Sequence, residues 1–193
     1  MSARSLTLTG CTLGLVASSW AVGVPRKSPE LTIHMAGGKD LRLSQYRGKV
    51  CVVALFSTAC PHCQTLTGTL NEIQKEYKPR GVQIMAAAFN EDAKDSVAGF
   101  VAQFHAAFPV GWLTRAEALT YLGIPISVNS GYVPKLLFID RAGIVREEHL
   151  QLKPEDDYFG RAQSTIRATL DSVLNTERHK KNRRCQGQIR GRR

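Results

Sequence analysis

The sequence has no internal repeat, no second Cys-x-x-Cys beside the one at residues 60–63, no His-x-x-x-His and no Met- or His-rich run. The missing repeat excludes a solenoid or fibrous array. The missing second ligand pair argues against a four-ligand zinc site. The missing Met and His runs leave a copper-holding module without support. Cysteine is sparse, five residues in 193, an odd number that cannot all pair within one chain. This is not the framework of a small disulfide-stapled domain. Acidic residues are also few, 16 against 26 Lys and Arg, for a net charge of +10. The excess is local: residues 178–193 carry eight Lys or Arg and no acid, which leaves 18 basic against 16 acidic groups in residues 1–177. A nearly neutral body gives no electrostatic footprint for nucleic acid, and no specific nucleic-acid partner is expected. What is present, 43% hydrophobic and 22% charged residues, suits one globular domain with a core. It does not suit a disordered chain or a polytopic membrane protein.

The two ends differ from the body. Leu6 to Val24 carries no charge, with Arg4 before it and Arg26 and Lys27 after it. Small residues at Ser19, Ala21 and Gly23 suit signal-peptidase cleavage, so residues 1–24 are expected to be a signal peptide or a disordered leader. An uncleaved anchor is opposed by the more basic downstream flank. Leu8-Thr9-Gly10-Cys11 is similar to a lipobox but comes before most of the apolar run. Export to the periplasm or another extracytoplasmic compartment follows from the leader reading; a cytoplasmic location is the alternative. The basic stretch 178–193 lacks apolar periodicity and is expected to be a disordered tail, with weak attraction for anionic lipid as its functional alternative.

Between the ends, Leu31–Met35 and Leu41–Leu43 alternate around Gly37-Gly38 and predict a β-hairpin. Val50–Phe56 is a continuous, largely aliphatic run of the kind found in a central strand buried on both faces. Leu66, Leu70, Ile73 and Tyr77 recur at helical spacing, and Pro79 to Gly81 end that helix. Val82–Phe89 predicts a second buried strand, and Val97 to Phe108 and Arg115–Leu122 predict helices. Lys135–Ile139 and Ile144–Leu150 predict strands around the turn Asp140–Gly143, with a closing helix marked by Phe159 to Val173. The order predicts an α/β domain over residues 29–175: parallel βαβ units finished by an antiparallel hairpin and a helix.

The chemically informative motif is Cys60-Pro61-His62-Cys63, at the junction of a buried strand and an amphipathic helix. Cysteines at i and i+3 of a helix start reach one another and can cycle between dithiol and disulfide. Cys60 at the N-terminus gains thiolate stability from free N–H groups and the helix dipole. Pro61 suits the first turn, where its missing N–H costs nothing. His62 adds a modulating charge, and Cys63 inside the helix is the resolving thiol. His34, His105 and His149 are lone residues that suit surface or core positions better than a metal site. A second motif, Gly131-Tyr132-Val133-Pro134-Lys135, leads into the strand at 135–139, with Pro134 at a position a strand tolerates. Cys51, inside a strand, reads as an inert buried small hydrophobe.

Together these residues resemble the thioredoxin superfamily, and within it the TlpA/ResA-like exported bacterial thiol–disulfide oxidoreductases, relatives of the AhpC/TSA redoxins. The likeness runs from about Pro29 to Leu174. It takes in the hairpin, the Leu43–Lys49 lead-in, the Cys-x-x-Cys, Phe108-Pro109-Val110 and the Val-Pro strand. It implies a thioredoxin-like fold with a central mixed sheet flanked by helices and an N-terminal β-hairpin. It also implies a cis Pro134 lying against the dithiol, with substrate backbone pairing at Val133. An acidic residue near the dithiol after the second strand is implied at Glu91 or Asp92, residues that equally suit the capped first turn of a helix. Two departures stand out. Ala59 replaces the Trp that commonly precedes the first Cys, and the Pro-His dipeptide is like that of the oxidising DsbA proteins.

The expected activity is thiol–disulfide exchange with Cys60 attacking and Cys63 resolving, to reduce or install disulfides in protein substrates, without a cofactor or metal. A separate electron donor or acceptor is expected, a membrane thiol carrier among the candidates, and the chain is expected to be a monomer. A peroxiredoxin-like peroxidase is the alternative. Its Pro-x-x-x-Thr-x-x-Cys pattern fails here, where Val53 and Ser57 hold the first two positions. A non-catalytic thiol- or copper-binding module of the same fold is the third reading.

Overall fold

The structure is a computed structural model and describes residues 23–127, 132–151 and 157–190, with side chains described as far as Glu177. The leader up to residue 22, Cys11 within it and the side chain of Cys185 lie outside the described residues.

Among the described residues eight strands and four α-helices follow in order: β1 Arg26–Lys27, β2 Thr32–His34, β3 Asp40–Arg42, β4 Val50–Phe56, α1 Pro61–Tyr77, β5 Val82–Ala88, α2 Ala93–Phe104, β6 Val110–Trp112, α3 Arg115–Leu122, β7 Lys135–Ile139, β8 Ile144–His149 and α4 Ala162–Arg190. All strands join one sheet in the order β1-β8-β7-β4-β5-β6-β2-β3. β4 lies at its centre, parallel to β5 and antiparallel to β7. Only five Cα steps separate Lys27 in β1 from Thr32 in β2, a reach of at most ~18 Å. Six strand spacings lie between those strands, about 29 Å in a flat sheet. The sheet therefore curls so that its two edges approach.

Because β4 is buried along its whole length, its alternate side chains feed two cores. Val50, Val52, Ala54 and Phe56 pack with α1, α2 and α4 on one face. Cys51, Val53 and Leu55 pack with Leu31, Leu113 and α3 on the other. Cys51 is buried, its thiol 3.9 Å from the Tyr46 carbonyl, and burial pushes its pKa up to about 11. Gln74 fastens α1 to β5: its Oε1 accepts from Ile84 N–H at 2.6 Å and its amide donates to the Val82 carbonyl at 3.3 Å.

Several elements differ from what the sequence predicts. The second helix ends at Phe104 rather than at Phe108, because His105 takes a left-handed conformation and Pro109 disfavours helix at the residue before it. Phe108 is buried in the connection that follows. β6 is three residues long, too short for its alternation to register, and exists because it pairs with both β5 and β2. At β6, Gly111 is required by close approach, since a Cβ there would lie 2.3 Å from the His34 carbonyl oxygen. The closing helix carries on to Arg190, through most of the segment expected to be a tail. Its Lys, Arg and Gln residues are good helix formers and outweigh the single Gly187 in that stretch. Among the described residues no helix is long and apolar enough to cross a membrane.

The hairpin is tied to α3 by His34, whose Nδ1 lies 2.9 Å from Asp40 and Nε2 3.2 Å from Glu117, with its ring against Trp112. Glu117 also closes the capping box of α3 with Thr114. The bond to Asp40 and then that to Glu117 raise the His34 pKa above its ordinary value, against the opposing effect of burial. A raised pKa gives a stabilisation that is full below the unfolded value of about 6.5 and is lost as pH rises through the folded value. The expected result is a gap in urea midpoint between wild type and His34→Gln that is largest in mild acid and closes in mild alkali. A gap independent of pH would contradict it.

Candidate active site: a buried–exposed thiol pair at a helix start

β4 delivers the chain to the C-terminal end of the sheet's centre, and three irregular residues, Ser57 to Ala59, carry it to Cys60. Cys60 is the N-cap of α1 with extended backbone, Pro61 occupies the first helical position, and the Cys60 carbonyl accepts from Gln64 N–H at 3.1 Å. The two thiols are free, in contact, and differently placed. Cys60 is partly exposed at the free N–H end of the helix, whereas Cys63 is 2% exposed among Phe56, Leu66 and Leu70. Burial pushes the Cys63 thiol far above the ordinary thiol range. A backbone hydrogen bond with Ser57 opposes that shift, and the neighbouring Cys60 adds to it. One sulfur can therefore be attacked from outside and the other holds its proton until it is needed.

The second motif meets the first. The Val133–Pro134 peptide bond is cis, Pro134 is buried, and the Cys60 thiol points at the Val133 carbonyl, with Sγ 3.8 Å from the oxygen. Residues 73 positions apart in sequence thus form one surface, with exposed Tyr132 at its rim. Lys135 fixes this loop from behind. Its side chain is buried, and its ammonium donates to the Tyr132 carbonyl at 2.9 Å and to the Leu150 carbonyl. Burial lowers its pKa to about 8. A cleft of about 900 Å³ opens beside His62, between the outer face of α1 and the start of α4.

Glu91 and Asp92 lie in the turn between β5 and α2, both exposed, and neither is hydrogen-bonded to Cys63. Asp92 is the N-cap of α2 by position, but its carboxylate accepts from the Asn90 amide at 2.6 Å instead of capping the helix. Asn90 and Thr58 were not singled out by the sequence reading, yet they join that turn to the dithiol loop. A lone Asn ahead of two acids carries no periodic or motif signal. Among the described residues no group of three His, Cys, Asp or Glu is placed to hold a metal ion.

A dithiol at the start of a helix, with one accessible and one buried sulfur and a cis-proline loop against the accessible one, defines a thioredoxin-fold dithiol protein. The chain belongs to the AhpC/TSA family, whose pattern matches residues 24–148. It is 31% identical over 127 residues to the thiol-disulfide oxidoreductase ResA of Geobacillus kaustophilus, covering 66% of this chain and 69% of that one. Its fold is that of a thioredoxin-family thiol:disulfide interchange protein from Chlorobium tepidum, with TM-score 0.60, 21% identity and coverage of 80% and 99% of the two chains. The thioredoxin domain of a Bacteroides vulgatus thiol-disulfide oxidoreductase is similar too, with TM-score 0.58, 16% identity and coverage of 75% and 98%.

Proposed function

We propose that this protein is a thiol–disulfide oxidoreductase acting on disulfide- or thiol-bearing proteins. The observation that carries the reading is the asymmetry of the pair: Cys60 partly exposed at a helix N-terminus against Val133, Cys63 buried behind it. In the reductive direction the Cys60 thiolate attacks one sulfur of a substrate disulfide. A Cys60–substrate disulfide forms and the other substrate sulfur leaves as thiolate. Cys63 then loses its proton and attacks the Cys60 sulfur. The second substrate thiolate leaves, and Cys60–Cys63 carries the two electrons' worth of oxidation. The reverse sequence installs a disulfide.

The high Cys63 pKa makes its deprotonation the demanding part of resolution, and the exposed carboxylates of Glu91 and Asp92 are the proposed proton acceptors, reached through solvent. Pro134 shapes the loop against Cys60, the Val133 backbone is the proposed site of substrate pairing, and His62 and Pro61 modulate the thiolate. The cleft beside His62 has room for a segment of substrate. Export is proposed on the uncharged stretch Leu6–Val24 behind Arg4, with a separate thiol carrier restoring the dithiol.

Equilibration with glutathione buffers, read by thiol alkylation and mass, tests the reading. The expected result is one two-electron couple confined to Cys60 and Cys63. A potential near about −270 mV makes the protein a reductant and one near about −120 mV a disulfide donor. Absence of a Cys60–Cys63 disulfide at every poise would overturn the function.

A further inference from the structure

Thr58, two residues before Cys60, is 8% exposed and bonded at every polar atom. Its N–H donates to Asn90 Oδ1 at 3.0 Å, and its carbonyl accepts from Gln64 Nε2 at 3.1 Å. Its hydroxyl lies 2.9 Å from Asn90 Nδ2 and 2.9 Å from Ser96 Oγ. The protons can be placed one by one. Asn90 Nδ2 has two, one for Thr58 Oγ1 and one for the Asp92 carboxylate at 2.6 Å. Ser96 gives its proton to the Asp92 carbonyl at 2.9 Å, so the Thr58 hydroxyl gives its own to Ser96. Flipping the Asn90 amide would set its NH2 group against the Thr58 N–H and its oxygen against a carboxylate, so only one orientation is satisfied.

We infer that Asn90 is a positioning residue for the attacking thiol: through Thr58 it fixes the loop that sets Cys60 at the start of α1, and it couples Asp92 to that loop without contact between Asp92 and either sulfur. The inference rests on the thiol–disulfide reading above. Between Phe56 and Pro61 neither strand nor helix holds the backbone; Ser57 bonds to Ala59 N–H at 3.3 Å and to Cys60 N–H at 3.2 Å, its backbone also meets the Cys63 thiol, and the Cys60 thiol faces the Val133 carbonyl. Thr58 ties that loop to the turn before α2 and to α2 itself, through both its backbone N–H and its hydroxyl. The Asp92 charge polarises the Asn90 amide and strengthens its hold on the Thr58 N–H.

The test is the rate at which the reduced full-length protein reacts with oxidised glutathione, followed across pH. The plateau of the profile reads placement of Cys60 and its midpoint reads ionisation. Asn90→Ala is expected to lower the plateau about tenfold or more, since displacement of a reacting atom is costly. Thr58→Val is expected to follow it, Thr58→Ser to keep the wild-type profile, and Asp92→Asn to give a smaller loss in the same direction. Gln74→Ala is the control, because it loosens a buried clamp between α1 and β5 at the far end of α1 and should leave the profile unchanged. A wild-type profile in Asn90→Ala, or equal profiles in Thr58→Ser and Thr58→Val, would overturn the inference. Failure of the wild type itself to react would instead remove the reading on which it rests.

Discussion

Cys60→Ser is expected to abolish turnover, and Cys63→Ser to stop the enzyme after half a cycle with substrate covalently attached. The two losses differ in kind because the two sulfurs differ in place. Serine at 60 removes the group that meets the substrate disulfide. A hydroxyl is not appreciably ionised at neutral pH, and the helix end that stabilises a thiolate has nothing to act on. Serine at 63 leaves that attack intact. Position 63 is buried behind Cys60, so a hydroxyl there neither competes for substrate nor resolves the mixed disulfide. Mass spectrometry after one addition of a disulfide-bearing protein should show a persistent adduct on Cys63→Ser, absent from Cys60→Ser and from wild type. Residual turnover in Cys60→Ser, or free release of reduced substrate by Cys63→Ser, would reverse the assignment.

Asp140→Ala is expected to destabilise the protein by about 3–5 kcal/mol, the usual cost of breaking one side of a buried ion pair. The Asp140 side chain is 0% exposed and accepts from Arg146 Nη2 at 2.6 Å and from Arg146 Nε at 2.7 Å. It also accepts the N–H groups of Ala142 at 2.9 Å and Ile144 at 3.0 Å. Burial alone would raise its pKa. The Ile144 N–H, the Arg146 guanidinium and the Ala142 N–H together outweigh burial and hold it below the ordinary carboxylate value. A depressed pKa contributes stability that is present above the unfolded value and lost as pH falls through the folded one. Alanine removes that acid dependence along with the ion pair. It also strands two N–H groups in the turn that aligns β7 with β8. The urea midpoint should fall accordingly, while the Cys60–Cys63 potential stays put, because this turn is at the end of β7 opposite to Pro134. A loss below about 1 kcal/mol, the range of an exposed pair, would show that the site is not closed to water.

The elements most legible in the sequence were those whose side chains carry a period or a run. β4 and β7 have the predicted boundaries, Val50–Phe56 and Lys135–Ile139, because buried strands read as continuous apolar stretches. α3 also matches, since Thr114 and Glu117 cap its start and Gly123 its end. β1 and β6, two and three residues long, show no such pattern. They are strands because β8 and β5 offer them partners. The same division runs through the site. Cys60-Pro61-His62-Cys63 is contiguous, so its chemistry is written in order along the chain. Asn90 is 32 residues from Thr58 and has no local signature at all.

Taken alone, the sequence determined the α/β class, a dithiol at a strand-to-helix junction, and a basic excess confined to the C-terminus. Each of these depends on neighbours within a few residues, where spacing and residue type settle the outcome. Only the tertiary structure decided which sulfur is exposed, that the Val133 carbonyl faces it, and that Asp92 reaches the dithiol loop through Asn90 rather than by touching Cys63. Those outcomes depend on where the curled sheet brings its strand ends. Strand ends meet through long-range packing of two cores, a property of the whole chain and of no single segment of it.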